Sequence, residues 1–294
     1  MENSTYFFRV ADFLFSVRLP VGIDVTAFLP SFVPFRCEAN GGDEILFVFT
    51  VEENLQVAGD IVWSEDMDND FGCTRLMQVG EDYLCQIHFT QEGAVHEMLS
   101  NHDFTVVRAK LVWDDHYVES VLSSMLRIAF SQAILKLHAI SLHASVVCHK
   151  DKGYLFMGKS GTGKSTHSAL WLKNIPNTSL LNDDNPVIRM IEEGIYVYGT
   201  PWSGKTPCYR NYSCPVGGMV RLRQAPYNKF LKQNGVQAFI QIIPGCSVIK
   251  QDGVLYDYLC DTLTSMIEQV PVGVLECLPD DNAAQCCYHG LLGT

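Results

Sequence analysis

Apolar residues along this chain follow two kinds of spacing. In the first third they alternate or cluster in short runs broken by Gly, Asn and Asp: EILFVFTV (44–51), DIVWS (60–64), YLCQIHF (83–89) and FTVVRAKLVW (104–113). Runs rich in β-branched and aromatic residues between turn formers predict strands. Among them GAVHEMLSN (93–101) predicts a short helix. From Tyr117 to Leu137 the spacing changes: Val118, Leu122, Met125, Leu126, Ala129, Phe130, Ala133, Ile134 and Leu137 recur every three or four residues. That is the single apolar face of an amphipathic helix. SLHASVVC and GYLFMG follow, two apolar runs around the turn HKDKG, and predict a hairpin. A helix is expected through STHSALWLK, stopping near Pro176. TSLLNDDNPVI then reads as a strand ending in two aspartates, and VIRMIEEGIYVYG as a hairpin turning at Glu193-Gly194. VGVLECLPDDNAAQCCYHGLL reads as a strand and then a helix starting near Asp280.

The chain therefore divides into a β-rich segment, 1–117, with no recognisable chemistry, and an α/β segment, 118–294. Its 294 residues, 47% hydrophobic, suffice for one large domain or two ordinary ones. A formal net charge of −12 argues against nucleic acid or an anionic membrane surface as the main partner. No uncharged apolar run approaches a membrane span. The opening MENSTYFFRV has neither the basic nor the apolar region of a signal peptide. Eleven cysteines, an odd number with no C-x-x-C pair, fit reduced thiols better than a disulfide framework. A cytoplasmic location is the expectation.

The chemistry concentrates in MGKSGTGKST, Met157 to Thr166. Gly158, Gly163, Lys164 and Ser165 satisfy G-x-x-x-x-G-K-[ST]. In such a loop the glycines turn backbone N–H groups inward around phosphate oxygens, and the following helix adds its positive end. The pattern arises by accident in about one chain in a hundred of this length at average composition. The strand before it and the helix after it make accident rarer still. The expected nucleotide-binding set is Gly158, Lys159, Ser160, Gly161, Thr162, Gly163, Lys164, Ser165 and Thr166, with Lys164 on the β- and γ-phosphates of ATP and Ser165 on Mg²⁺.

Other phosphate machines leave marks that are missing. Neither D-x-x-G with N-K-x-D nor an LSGGQ-like signature occurs. Asp70-Phe71-Gly72 lacks the rest of the protein-kinase set. DMDNDFG (66–72) has its glycine one place late for a calcium loop, with Met77 at position twelve. His96-Glu97 begins an H-E-x-x-H that ends in Ser100.

What the flanks do carry is a histidine, His143, at the start of the hairpin and an aspartate pair, Asp183-Asp184, one helix and one strand after the loop. LHASVV…GKSGTGKST…LLNDDNPV resembles the HPr kinase/phosphorylase family, which shares its fold with phosphoenolpyruvate carboxykinases. The likeness covers roughly residues 138 to 290. GTPWSGKTPCYRNYSCPVGG and LECLPDD look more like HPr-kinase-related proteins of bacterial peptide-maturation and other accessory settings. The resemblance implies a P-loop kinase core with a mixed sheet, preceded by the smaller β-rich domain. It implies a Mg²⁺- and ATP-dependent kinase acting on a serine-type hydroxyl of a protein, peptide or small molecule. A nucleotide-binding regulatory module and a simple ATPase remain alternatives, and a homo-oligomer stays open.

Phosphoryl transfer needs positioning and charge neutralisation, so a carboxylate pair can divide metal holding and proton acceptance. By resemblance the base is Asp183 and the metal ligand Asp184, with the reverse order open. His143, in the family's H-x-x-x-V pattern with Val147, is expected in the active site. Lys205 and Arg210, in the Gly/Pro-rich stretch 199–214, either contact the γ-phosphate or the acceptor or are solvated loop charges.

Overall fold

The computed structural model describes residues 2–69, 72–90, 93–204 and 206–293. The chain forms two compact units, Met1–Ala133 and Ile134–Thr294. The division lies past the expected boundary at 117, because the helix after that point packs within the first unit.

In the first unit the chain runs through β1 (Asn3–Val10), β2 (Phe13–Pro20), a short helix α1 (Val25–Phe28), a 3-10 stretch (Pro30–Phe35), β3 (Arg36–Cys37), β4 (Ile45–Val51), β5 (Ile61–Asn69), β6 (Gly72–Val79), β7 (Asp82–His88), β8 (His96–Ser100), β9 (Val106–Lys110) and α2 (Val118–Ala133). The described strands make a mixed sheet in the order β3-β1-β2-β4-β9-β8-β7-β6-β5. Phe15 stacks on Phe47, and Phe130 of α2 meets Phe13 and Phe15 edge-on, so the helical stripe read from the sequence closes this core. The helix expected at 93–101 is instead strand β8, hydrogen-bonded between β7 and β9. Met98, Leu99 and Ser100 are all buried there. A central strand covered on both faces loses the alternation that would have revealed it. His96 is fully buried, its Nε2 2.8 Å from Asp115 Oδ2, and it is a structural group.

The second unit contains a 3-10 turn (Leu135–Leu137), β10 (Ala139–Ser141), β11 (Ala144–His149), β12 (Lys152–Met157), α3 (Lys164–Asn174), β13 (Thr178–Asn182), β14 (Val187–Ile191), β15 (Gly194–Tyr198), β16 (Ser213–Gln224), β17 (Lys229–Gln233), α4 (Gly235–Ile242), α5 (Gly253–Ile267), β18 (Val272–Cys277) and α6 (Asp281–Leu292). The sheet order is β10-β14-β15-β16-β12-β11-β13, with β18 on β16 and β17 on β18. Here the sequence-predicted hairpins appear as β11–β12 and β14–β15, and the terminal strand and helix as β18 and α6. Both sheets mix parallel with antiparallel pairs, which makes the fold α/β. Strand β12 lies at the centre, antiparallel to β11 and parallel to β16.

Buried Trp171 of α3 packs on Tyr154 and Phe156 of β12 and on Tyr288 of α6. This apolar layer fixes α3 over β12, and so fixes the turn between them. Asp280 caps α6 through Ala283 N, as the sequence predicted. No helix among the described residues is long and apolar enough to cross a membrane. All eleven cysteines are free thiols.

Gly199, where β15 gives way to the 199–212 loop, passes so close to the far side of that loop that a Cβ would run into the Arg210 carbonyl oxygen. Backbone cannot yield as a flexible side chain does. Gly199→Ala should therefore destabilise the second unit by about 1–3 kcal/mol. Denaturant unfolding of variant and wild type measures it, and equal midpoints would mean that the loop opens without cost.

Candidate functional site

Strand β12 delivers its C-terminal end to the turn 158–163, and α3 starts at Lys164. Gly161 (φ +76°) and Gly163 (φ +106°) occupy left-handed backbone that other residues adopt only with strain. Gly163 is the N-cap of α3 and offers no side-chain cap, so the first helical N–H groups are not capped by a side chain. Thr162 N donates to Lys159 O (3.1 Å), tightening the turn. A Cβ at Gly158 would press on the Thr162 side chain at 3.1 Å. Lys159, Ser160, Gly161, Ser165 and Thr166 are exposed, whereas Lys164 is buried at the turn's base.

Lys164 Nζ lies 2.7 Å from His143 Nε2 and donates to Gly158 O at 3.3 Å. An ammonium has only hydrogens to give, so Nε2 accepts, and Nδ1–H faces Asp184 Oδ1 at 3.1 Å. The backbone holds the same group, with His143 N donating to Gly245 O and Ala144 N to Asp184 O. The second carboxylate is held differently. Asp183 is buried, and its Oδ1 accepts from Ser145 Oγ at 2.8 Å. Ser145 Oγ is also 2.6 Å from Ser168 Oγ on α3, so Ser168 donates to Ser145. The other oxygen, Asp183 Oδ2, is buried with no hydrogen-bond partner among the described residues. A bare buried carboxylate oxygen is costly and calls for a functional account.

The sequence reading thus names residues that the fold brings together: the phosphate-type turn, Lys164, His143, Asp183 and Asp184. It overlooked Ser145, Ser168 and Asn182. Buried Asn182 ends β13; its Oδ1 accepts from Asp184 N and Asn185 N, both at 3.0 Å. Its Nδ2 donates to Trp202 O (3.1 Å) and to Thr200 Oγ1 (3.2 Å). One side chain therefore shapes the aspartate turn and fastens the 199–204 loop beside it. The signal was the Asn before the aspartate pair, a residue type that bonds to the backbone two places on. Ser168 stands one helical turn after Lys164, on the same face.

Arg210 is placed elsewhere. Its guanidinium donates to Leu180 O (2.7 Å) and Ser179 Oγ (3.3 Å), so it binds along β13, about 10 Å of strand before the aspartate pair. The expected phosphate or acceptor contact does not follow from that position. Lys205 lies outside the described residues. Trp202 is buried.

Two cavities adjoin the turn. One of about 590 Å³ is walled by Thr166, His167, Leu170, Leu222, Cys277 and Leu278, polar at the turn and apolar beyond it. The other, about 480 Å³, contains Lys159, Arg221 and Arg223. Among the described residues no group of three or more His, Cys, Asp or Glu side chains is arranged to hold a metal ion.

No family model matches the chain, and no curated protein matches it. Among solved structures it is similar to the HPr(Ser) kinase/phosphatase from Coxiella burnetii, at 12% identity and a TM-score of 0.32 over 52% of this chain and 88% of that one. Agreement of that quality fixes no correspondence between residues.

The wall residue His167 has a pH consequence. Burial pushes its pKa down from 6.5 to about 4, and its Nε2 accepts from Trp171 Nε1 at 3.1 Å. The folded chain keeps this imidazole neutral, while the unfolded chain protonates it below pH 6.5. Its contribution to stability is complete above pH 6.5 and falls away as the pH drops towards 4, at about 1.4 kcal/mol per pH unit. His167→Gln, whose amide oxygen accepts from Trp171, should flatten the wild-type loss of stability between pH 6.5 and 4.5. Denaturant midpoints across that range test it, and parallel curves for both proteins would refute it.

Proposed function

We propose that the second unit is a P-loop phosphotransferase that binds ATP with Mg²⁺ and transfers the γ-phosphate to a serine-type hydroxyl. The observation that carries this reading is the bare, buried Asp183 Oδ2 beside the phosphate-type turn. A module that only binds nucleotide has no use for an unsatisfied carboxylate there, whereas a kinase needs a proton acceptor. The resemblance of the loop, His143 and the aspartate pair to the HPr kinase/phosphorylase family supports the same reading.

In this mechanism backbone N–H groups of the turn other than that of Thr162, with the start of α3, hold the phosphates, and Lys164 moves from His143 onto the β- and γ-phosphate oxygens. The 590 Å³ cavity takes the base and ribose, with its apolar wall against the ring. The donor set fits Mg²⁺ of the kind that takes one or two protein oxygens and completes its shell with phosphate and water, since no all-protein cage exists among the described residues. Ser165 and Asp184 would hold it, and the ion supplies charge neutralisation. Asp184 is oriented for that role by His143 and by Asn185 Nδ2, the outer-shell support that ligating carboxylates need. Asp183 Oδ2 takes the acceptor's proton, and Ser145 with Ser168 keeps the opposite oxygen fixed.

Lys164→Ala should abolish most turnover and weaken ATP binding while leaving the unfolding midpoint near wild type, because the lost contact is charge-assisted and not part of the apolar core. Wild-type ATP affinity by calorimetry in that variant would refute the nucleotide site. Asp183→Asn should slow phosphate transfer by a factor on the order of 10² to 10⁴ with ATP binding retained. Asp184→Asn should instead raise the Mg²⁺ concentration required. If the two variants exchange phenotypes, the base is Asp184.

A further inference from the structure

The second cavity shares the turn with the nucleotide, but its far wall on β16, Arg221 to Gln224, has no role in the nucleotide and metal reading. Arg221 and Arg223 sit two residues apart on β16, so both project from the same face of the sheet. Buried Gln241 of α4 holds them both: Arg221 Nη1 donates to Gln241 O and Arg223 Nη2 to Gln241 Oε1, each at 2.9 Å. Among the described residues no carboxylate forms an ion pair with either arginine. Lys159 completes the basic lining, and none of the residues around this cavity is acidic. In a chain with 33 acidic and 21 basic residues, two adjacent guanidiniums aligned by a neutral amide are an anion receptor without an internal anion. Burial and the neighbouring charge of Arg223 both work against the charged form of Arg221, a cost that an incoming anion offsets.

The location says which anion. Arg221 stands beside Met157, the last residue of β12 before the turn. The segment that clamps the arginines continues directly to the aspartate-side group, because Gly245 O receives His143 N. Gln241 and Gly245 are four residues apart, about 6 Å along a helix axis. The arginines and His143 therefore flank the turn along one segment, with β12 separating Arg221 from β11, which supplies Ser145, and from β13, whose end at Asn182 leads into the aspartate pair. Arg221 and the aspartate turn thus lie on opposite sides of β12, and a molecule spanning the turn would face both.

Resting on the kinase reading above, we infer that Arg221 and Arg223, with Lys159 at the rim, bind an anionic group of the phosphate acceptor. The acceptor is accordingly an acidic hydroxy compound carrying a phosphate or carboxylate group, and neutral alcohols are poor substrates.

The test uses the full chain and two probes, inorganic phosphate and malonate, titrated calorimetrically into the protein alone and into protein saturated with ADP and Mg²⁺. Wild type should bind at least one of the two, and the match between phosphate and dicarboxylate indicates which group the acceptor carries. Arg221→Gln with Arg223→Gln should weaken that binding at least tenfold and leave ADP affinity within about twofold. Gln241→Glu places a carboxylate on Arg223, where the amide oxygen now accepts, and should weaken probe binding without lowering the unfolding midpoint, which covers the case that the double variant folds poorly. Absence of probe binding in wild type, or equal binding by all variants, overturns the inference. An equal loss of ADP and probe affinity also overturns it, because the arginines would then belong to the nucleotide. If wild type binds no ADP, the kinase reading fails, while the titration of the protein alone still decides whether the arginines are an anion site.

Discussion

Everything in the second unit depends on the short backbone turn between β12 and α3. Gly161 and Gly163 take left-handed conformations there, and Gly163 starts the helix without a side-chain cap. Such a turn is unfavourable in isolation, since glycine is the residue that loses most conformational freedom on folding. It persists because both of its ends are fixed. The strand before it is buried between β11 and β16, and Trp171 locks the helix after it onto Tyr154 and Phe156. Burying an aromatic of that size contributes a few kcal/mol, more than the conformational entropy that two glycines lose. The apolar layer is thus what keeps the polar turn in one shape.

The same layer connects the turn to the acid side of the site. Ser168 lies one helical turn beyond Lys164, and its hydroxyl reaches Ser145 on β11, which holds Asp183. Lys164 reaches His143, which faces Asp184. Both links leave from the first turns of α3, one to each aspartate. A displacement of the helix would therefore disturb both carboxylates together, and geometry of this kind matters most in phosphoryl transfer, where positioning supplies much of the rate.

What the sequence made legible follows from the range of the interactions involved. The turn, α3, both hairpins, and β18 with α6 are set by local spacing, by glycine and by one N-cap aspartate, so they could be read directly. Strand β8 could not, because the identities of Glu97, Met98 and Leu99 suit a helix and only the pairing with β7 and β9 makes them a strand. The site divides in the same way. Lys164, His143 and the aspartates belong to a recognisable pattern, whereas Ser145 and Ser168 acquire their role only when β11 and α3 pack together. Arg210 shows the opposite failure: a cation in the right loop, drawn to the carbonyl of Leu180 by the return of the chain along β13. Loop membership alone could not locate it, since the excursion from Gly199 to Tyr212 closes on itself through Gly199 N and Tyr212 O.

Charge distribution gives these placements a common logic. The net charge of −12 makes the average surface repel anions, so any anionic ligand needs concentrated local compensation. The structure supplies it by three means that differ in kind: backbone N–H groups at the turn, the ammonium of Lys164, and guanidiniums held by Gln241. The N–H groups carry only partial charge and need no counterion. Lys164 is fixed beside His143, whose Nε2 accepts from its ammonium. Gln241 aligns the arginines with amide oxygens, which also leave their full charge available. A carboxylate in place of the Gln241 amide would hold the guanidiniums more tightly and cancel their charge. The neutrality of the Gln241 amide is therefore what lets an acidic chain keep two guanidiniums charged beside one turn.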